Sequence, residues 1–154
     1  MPAFNVLFLC QTNMCLSPIA EGILKDLLKK RNIDAVVDSA GFEVYHINEL
    51  ADKRAVKKVS DHGIDISSKR VRLFSKDDLA RFDKIYVMDT LTNRSAQFFA
   101  KTPEEKAKID FLLNAIHPGK NESVPDCFYS KLDAADETYK LIELACQKIA
   151  DKMV

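Results

Sequence analysis

No stretch of this 154-residue chain approaches the ~18 uninterrupted apolar residues that cross a bilayer, so a membrane partner is not expected. Net charge is absent as well, because 23 basic residues cancel 23 acidic ones. A neutral chain exerts no general pull on nucleic acid or anionic lipid, and any affinity for phosphate has to be local. Cysteine is sparse and scattered, at positions 10, 15, 127 and 146. The N-terminus lacks the charged region, long apolar stretch and small-residue cleavage site of a secretory leader, so a cytoplasmic location is expected and a disulfide framework is not. Four residues separate Cys10 from Cys15, wider than most paired zinc ligands, and His46, His62 and His117 are dispersed. No metal or other cofactor is expected. Repeats, low-complexity tracts and linkers are missing, and a hydrophobic content of 47% suits one core, so residues 1–154 read as a single domain.

The most informative residues present are Cys10-Gln11-Thr12-Asn13-Met14-Cys15-Leu16-Ser17-Pro18. Val6-Leu7-Phe8-Leu9 before them is a short apolar run suited to a strand buried on both faces of a parallel sheet. After them Ile19, Ala20, Ile23, Leu24, Leu27 and Leu28 recur at helical spacing, and Lys29-Lys30-Arg31 suits a helix C-terminus. The segment thus joins a strand to a helix N-terminus, where first-turn amides have no intrahelical acceptor and the macrodipole favours anions. A thiol in that field ionises readily, which makes Cys10 a candidate nucleophile. Ser17 is a natural N-cap, Pro18 fits the first helical position, and Asn13 tolerates a left-handed turn. These choices agree with a loop that curls its amides around an oxyanion.

Apolar runs alternate with helical segments along the chain, the pattern of an α/β fold with a parallel sheet. Strands are expected near 5–9, 34–38, 84–88 and 107–112, and helices near 17–31, 48–63, 76–82, 91–101 and 132–152. Ligands in such sheets bind beyond the carboxyl ends of the strands, at the switch in strand order, where Cys10 falls. The irregular segment 117–130, with Pro118-Gly119, Asn121 and Pro125, is expected to arch over that end and carry Asp126 toward the site. Cys146 lies on the apolar face of the last helix with Leu141, Leu144, Ala145 and Ile149, and reads as structural, as does Cys127.

These residues resemble the low-molecular-weight protein tyrosine phosphatases, whose loop reads Cys, five residues, Arg, then Ser-Pro. Cys10, Asn13, Cys15, Ser17, Pro18 and the following Ala20-Glu21 match. The resemblance runs on through Asp38-Ser39-Ala40-Gly41, Ala51–Ala55, His62–Asp65, Phe82–Asp89 and Val124-Pro125-Asp126. It implies a three-layer sandwich with a four-stranded parallel sheet between helices, Rossmann-like and of the phosphotyrosine phosphatase I type.

The resemblance also implies a two-step hydrolysis of a phosphotyrosine protein or small aryl phosphate. Cys10 attacks phosphorus to form a phosphocysteine, protonated Asp126 supplies the leaving phenolate with a proton, and Asp126 then acts as base toward water. Residues 11–17 hold the phosphate, Ser17 also donates to the thiolate, and Asn13 with Ser39 braces the loop. Tyr45, Phe128 and Tyr129 line the substrate mouth. Each has a plainer reading: a turn aspartate for Asp126, caps and turns for Ser17, Asn13 and Ser39, half-buried surface aromatics for the three rings. Cys15 either traps oxidised Cys10 as a disulfide or serves as a small buried hydrophobe.

Leu16 departs from the pattern, standing where the family has an arginine that grips two phosphate oxygens and offsets charge in the transition state. Thr12 stands where glycine is common, Cys127 replaces a proline and Ser130 a glycine. Hydrolysis is therefore expected to be weak or absent, and Lys69, Arg54, Arg70 and Arg72 are not expected to replace the missing charge. The alternatives are a non-catalytic relative that binds an anion or a partner, and an arsenate reductase. The latter needs two further redox cysteines close together in the later half, whereas only Cys127 and Cys146 follow Cys15.

Overall fold

A computed structural model describes residues 3–125 and 132–153. Four parallel strands, β1 (Val6–Leu9), β2 (Val37–Ala40), β3 (Lys84–Val87) and β4 (Ile109–Phe111), lie in the order β2-β1-β3-β4. Val6 to Leu9 of β1 pair in register with Val37 to Ala40 on one side and Lys84 to Val87 on the other. Successive side chains of β1 point to opposite faces, and all four are fully buried, which explains why the run is apolar without alternation. Val6 and Phe8 face a core built with α1 (Leu16–Lys30), α2 (Lys53–Ser60) and α6 (Leu132–Asp151). Leu7 and Leu9 face a second core with α3 (Asp78–Arg81) and α4 (Thr90–Phe99). The two helical layers with the sheet between them are the expected sandwich.

Several boundaries differ from expectation for identifiable reasons. β2 begins at Val37, not at 34, because register with β1 carries the strand through Asp38 and Ser39, whose polar side chains are held by partners; Val36 is left 53% exposed. Residues 48–52 are drawn out of α2 by pairing with 69–71: Asn48 N–H donates to Val71 O, Val71 N–H to Glu49 O, and Ala51 N–H to Lys69 O. Asp52 then caps the helix, accepting from Arg54 N–H. A short helix not expected from periodicity, α5 (Pro103–Lys108), starts with a Thr102/Glu105 capping box and precedes β4.

Strand order reverses at β1, whose neighbours are β2 and β3, so the crevice at the carboxyl end of β1 is the topological switch point. Gly41, next after β2, lets residues 11–13 pass against it. A Cβ there would sit 2.8 Å from Gln11 O and 2.9 Å from Asn13 N, both backbone atoms that cannot yield without moving the loop. Gly41→Ala is expected to lower the urea unfolding midpoint with an unchanged slope, a loss of roughly 1–3 kcal/mol typical of overpacking.

Candidate active site

Cys10 follows β1 directly, its amide donating to Ala40 O at 3.3 Å, and it is 5% exposed. Asn13 has φ of 57°, the left-handed turn expected of it, and is fully buried. That turn brings its own amide to 3.2 Å from Cys10 Sγ. The Asn13 side chain uses all its bonding groups: Nδ2 donates to Ser17 Oγ and to Ser39 Oγ, each at 3.0 Å, and Oδ1 accepts from Arg72 N–H at 3.0 Å. The backbone donor on one side and the hydroxyls on the other fix the orientation of the amide. Ser17 Oγ lies 3.0 Å from Cys10 Sγ and already accepts from Asn13, so its own proton is available to the sulfur. Ser39 Oγ in turn donates to Glu21 Oε1 at 2.6 Å.

Ser17 is not the N-cap expected from the sequence. Helix α1 begins one residue earlier at Leu16, with Cys15 at the cap position and no side-chain cap. The hydroxyl is taken instead by Cys10 and Asn13, and Pro18 falls on the third helical residue. Leu16 thus opens the helix, and its side chain joins the core, 8% exposed. Cys10, Gln11, Thr12, Cys15, Leu16 and Asp89 line a cavity of about 110 Å³. Asp89, at the carboxyl end of β3, was not singled out from the sequence. Its side chain accepts from Thr92 N–H at 2.8 Å as the cap of α4, and Gln11 Nε2 donates to Thr92 Oγ1 at 3.2 Å. An aspartate just after a buried strand and before a helical segment, the usual place of an N-cap, was the available signal.

The cations near this end are committed elsewhere. Lys69 Nζ contacts Asp38 Oδ1 at 2.9 Å, Glu21 Oε1 at 3.2 Å and Ser39 O at 2.9 Å. Arg72 forms one bond to Asp38 and a bidentate pair with buried Asp78 at 3.0 and 3.1 Å. Arg54 pairs with its helix cap Asp52, and Arg70 donates to Asn48 O. None of the four lines the cavity at Cys10. Burial alone would raise Asp38, but Lys69, through its hydrogen bond and charge, and Arg72 outweigh it and hold the carboxyl below its ordinary value.

Met14 and Thr12 complete the turn, with Met14 O accepting from Asp52 N–H at 2.8 Å and Thr12 Oγ1 from Met14 N–H at 3.2 Å. Tyr45 stands on the loop after β2, 80% exposed, and is not among the residues that line the cavity. Asp126, Cys127, Phe128, Tyr129 and Ser130 lie outside the described residues. The residues just before them are anchored: Val124 N–H donates to Met88 O at 2.7 Å, and Pro125 O accepts from Thr138 Oγ1 at 3.2 Å. Cys146 is fully buried against Ala20 O, and burial pushes its thiol up, as a structural cysteine requires. No cluster of three or more metal-ligating side chains occurs among the described residues, and no helix of the described chain is long and apolar enough to cross a membrane.

A family profile described as low molecular weight phosphotyrosine protein phosphatase matches residues 5–154. The chain is 34% identical to low molecular weight phosphotyrosine protein phosphatase 1 of Drosophila melanogaster, covering 92% of each. It is 32% identical to the Homo sapiens low molecular weight phosphotyrosine protein phosphatase, covering 96% of this chain and 94% of that one. Among solved structures, the protein tyrosine phosphatase of Entamoeba histolytica, with Hepes in its active site, superposes with a TM-score of 0.88 at 26% identity. That superposition covers 98% of this chain and 97% of the other. A drosophila arginine phosphatase gives 0.86 at 30% identity, covering 96% of each chain.

Asp38 offers a direct check on the network behind the loop. Its carboxyl is held below the usual value in the folded protein, so its contribution is present above about pH 4 and fades as pH falls through that held-down value. Asp38→Asn is expected to cost about 1–3 kcal/mol near neutrality, as for hydrogen bonds to charged groups, and progressively less toward pH 3. Urea unfolding of both proteins across that range reads the difference.

Proposed function

The chain belongs to the low molecular weight phosphotyrosine protein phosphatase family, and from that membership we propose that Cys10 is the nucleophile of an aryl phosphate monoester hydrolase whose turnover is curtailed by Leu16. The observation that carries the reading is the sulfur at the switch point, held by Ser17 Oγ at 3.0 Å and Asn13 N–H at 3.2 Å beside a small cavity. These two contacts fix the sulfur at the mouth of the cavity, in position to attack a bound ester. The cavity has room for a tetrahedral oxyanion, and the first-turn amides of α1 have no acceptor within the helix.

In the proposed first step the Cys10 thiolate attacks phosphorus, an S–P bond forms, the P–O bond to the phenol breaks, and Asp126 transfers its proton to the departing oxygen. In the second, water attacks phosphorus, the S–P bond breaks and Asp126 takes up the proton. The anchoring of Val124 and Pro125 beside Met88 and Thr138 supports the choice of Asp126, and Tyr45 is proposed to meet the substrate ring at the rim.

Leu16 sets the rate. The incoming phosphate meets a thiolate and the Asp89 carboxylate, with no cationic side chain among the described cavity residues. Arginines that stabilise phosphoryl transfer are worth about 10³–10⁵ in rate. The same observation favours a second reading, in which the loop binds an oxyanion or phosphorylated partner without turning it over.

Kinetics with p-nitrophenyl phosphate separate these readings. Leu16→Arg is expected to raise kcat/KM by roughly 10²–10⁵, and Cys10→Ser to abolish turnover in either background. If the arginine restores nothing, other loop residues have also lost the geometry and the non-catalytic reading stands.

A further inference from the structure

A second cavity, of about 400 Å³, opens at the opposite end of the sheet from Cys10. Phe4 precedes β1, Lys84 starts β3, Ile109 starts β4 and Lys152 follows α6, so the cavity gathers the amino-terminal ends of three strands and the end of the last helix. Its volume falls within the usual range for small-molecule sites. The walls combine an apolar floor of Phe4, Tyr86 and Ile109 with a basic rim of Lys84, Lys108 and Lys152.

Three of its polar groups have no partner among the described residues. Tyr86 is only 5% exposed, and no buried side-chain oxygen among the described residues lacks a partner, so its hydroxyl, which bonds to none of them, is the part of the residue that opens on the cavity. Lys84 and Lys152 enter no ion pair with described residues, in a chain whose lysines pair repeatedly elsewhere. Lys108, by contrast, donates to Leu79 O at 2.6 Å. The single carboxylate in the lining, Asp110, has one oxygen taken by Asn114 Nδ2 and Phe111 N–H. Burial, with the charge of Asp110, pushes the Tyr86 phenol up, so the hydroxyl keeps its proton and can donate.

We propose that this cavity binds a small aromatic anion, its ring on Phe4 and Ile109 and its carboxylate or similar acidic group held by Lys84, Lys152 and the Tyr86 hydroxyl. Two ammonium groups around one face suit an oxyanion as mobile point charges, whereas the floor would reject a fully hydrated ion. The site is independent of the loop at Cys10, which lies beyond the other end of β1 and β3.

Amide chemical-shift mapping with naphthalene-2-carboxylate, beside the neutral naphthalene-2-carboxamide, tests the proposal on the unaltered protein. The carboxylate is expected to shift the amides of Lys84, Tyr86, Asp110 and Lys152 saturably, and the carboxamide to bind at least tenfold more weakly. The pair Lys84→Glu and Lys152→Glu, both on exposed lysines, is expected to weaken carboxylate binding tenfold or more, and Tyr86→Phe about threefold. Equal binding of the carboxamide, shifts confined to residues 10–17, or no shift at millimolar probe would overturn it.

Discussion

Everything at the carboxyl end of this sheet depends on one buried side-chain amide. Asn13 turns the chain with positive φ, aims its own N–H at Cys10, and spends both side-chain donors and its acceptor on Ser17, Ser39 and Arg72. Each such bond contributes only about 0.5–1.5 kcal/mol net, but a buried group left without its partner costs about 1–3 kcal/mol. The set therefore forms together or not at all, and the sulfur, the first turn of α1 and the strand β2 are fixed with respect to one another. Behind Ser39 the network continues through Glu21 to Lys69 and Asp38, then through Arg72 to Asp78. Among the described residues, no buried side-chain nitrogen or oxygen is left unsatisfied.

This arrangement also explains how the loop keeps its shape with Leu16. A leucine at the start of α1 is stabilised by the apolar core beneath it and takes no part in the hydrogen bonds that hold Cys10. Lys69 and Arg72 hold the frame, where each already faces two carboxylates, and moving either into the cavity would strand those carboxylates partly buried. Shape and charge are thus separable here: the cradle is built by Asn13, while the charge that a bound phosphate calls for has no source in the cavity lining.

Much of this was legible in the residues. The buried run Val6–Leu9, the helical spacing from Ile19 onward and the left-handed Asn13 follow from local physics, and the structure has all three. What escaped depends on long-range pairing. Register with β1 carried β2 through Asp38 and Ser39, and the bridge of Leu50 to Arg70 shortened α2; neither leaves a periodic trace. Ser17 looked like a cap because capping is local, whereas its partners, Cys10 and Asn13, meet it only once the loop closes. Asp89 was hidden by its ordinary role as the cap of α4.

The separation of shape from charge is tested most directly by calorimetric titration of orthophosphate into the protein and into its Leu16→Arg variant. A preformed cradle lacking only its cation predicts weak, millimolar-range binding by the former and at least tenfold tighter binding, about 1.4 kcal/mol or more, by the latter. Equal affinities would contradict it, showing that the amides around Cys10 are not arranged to receive an anion.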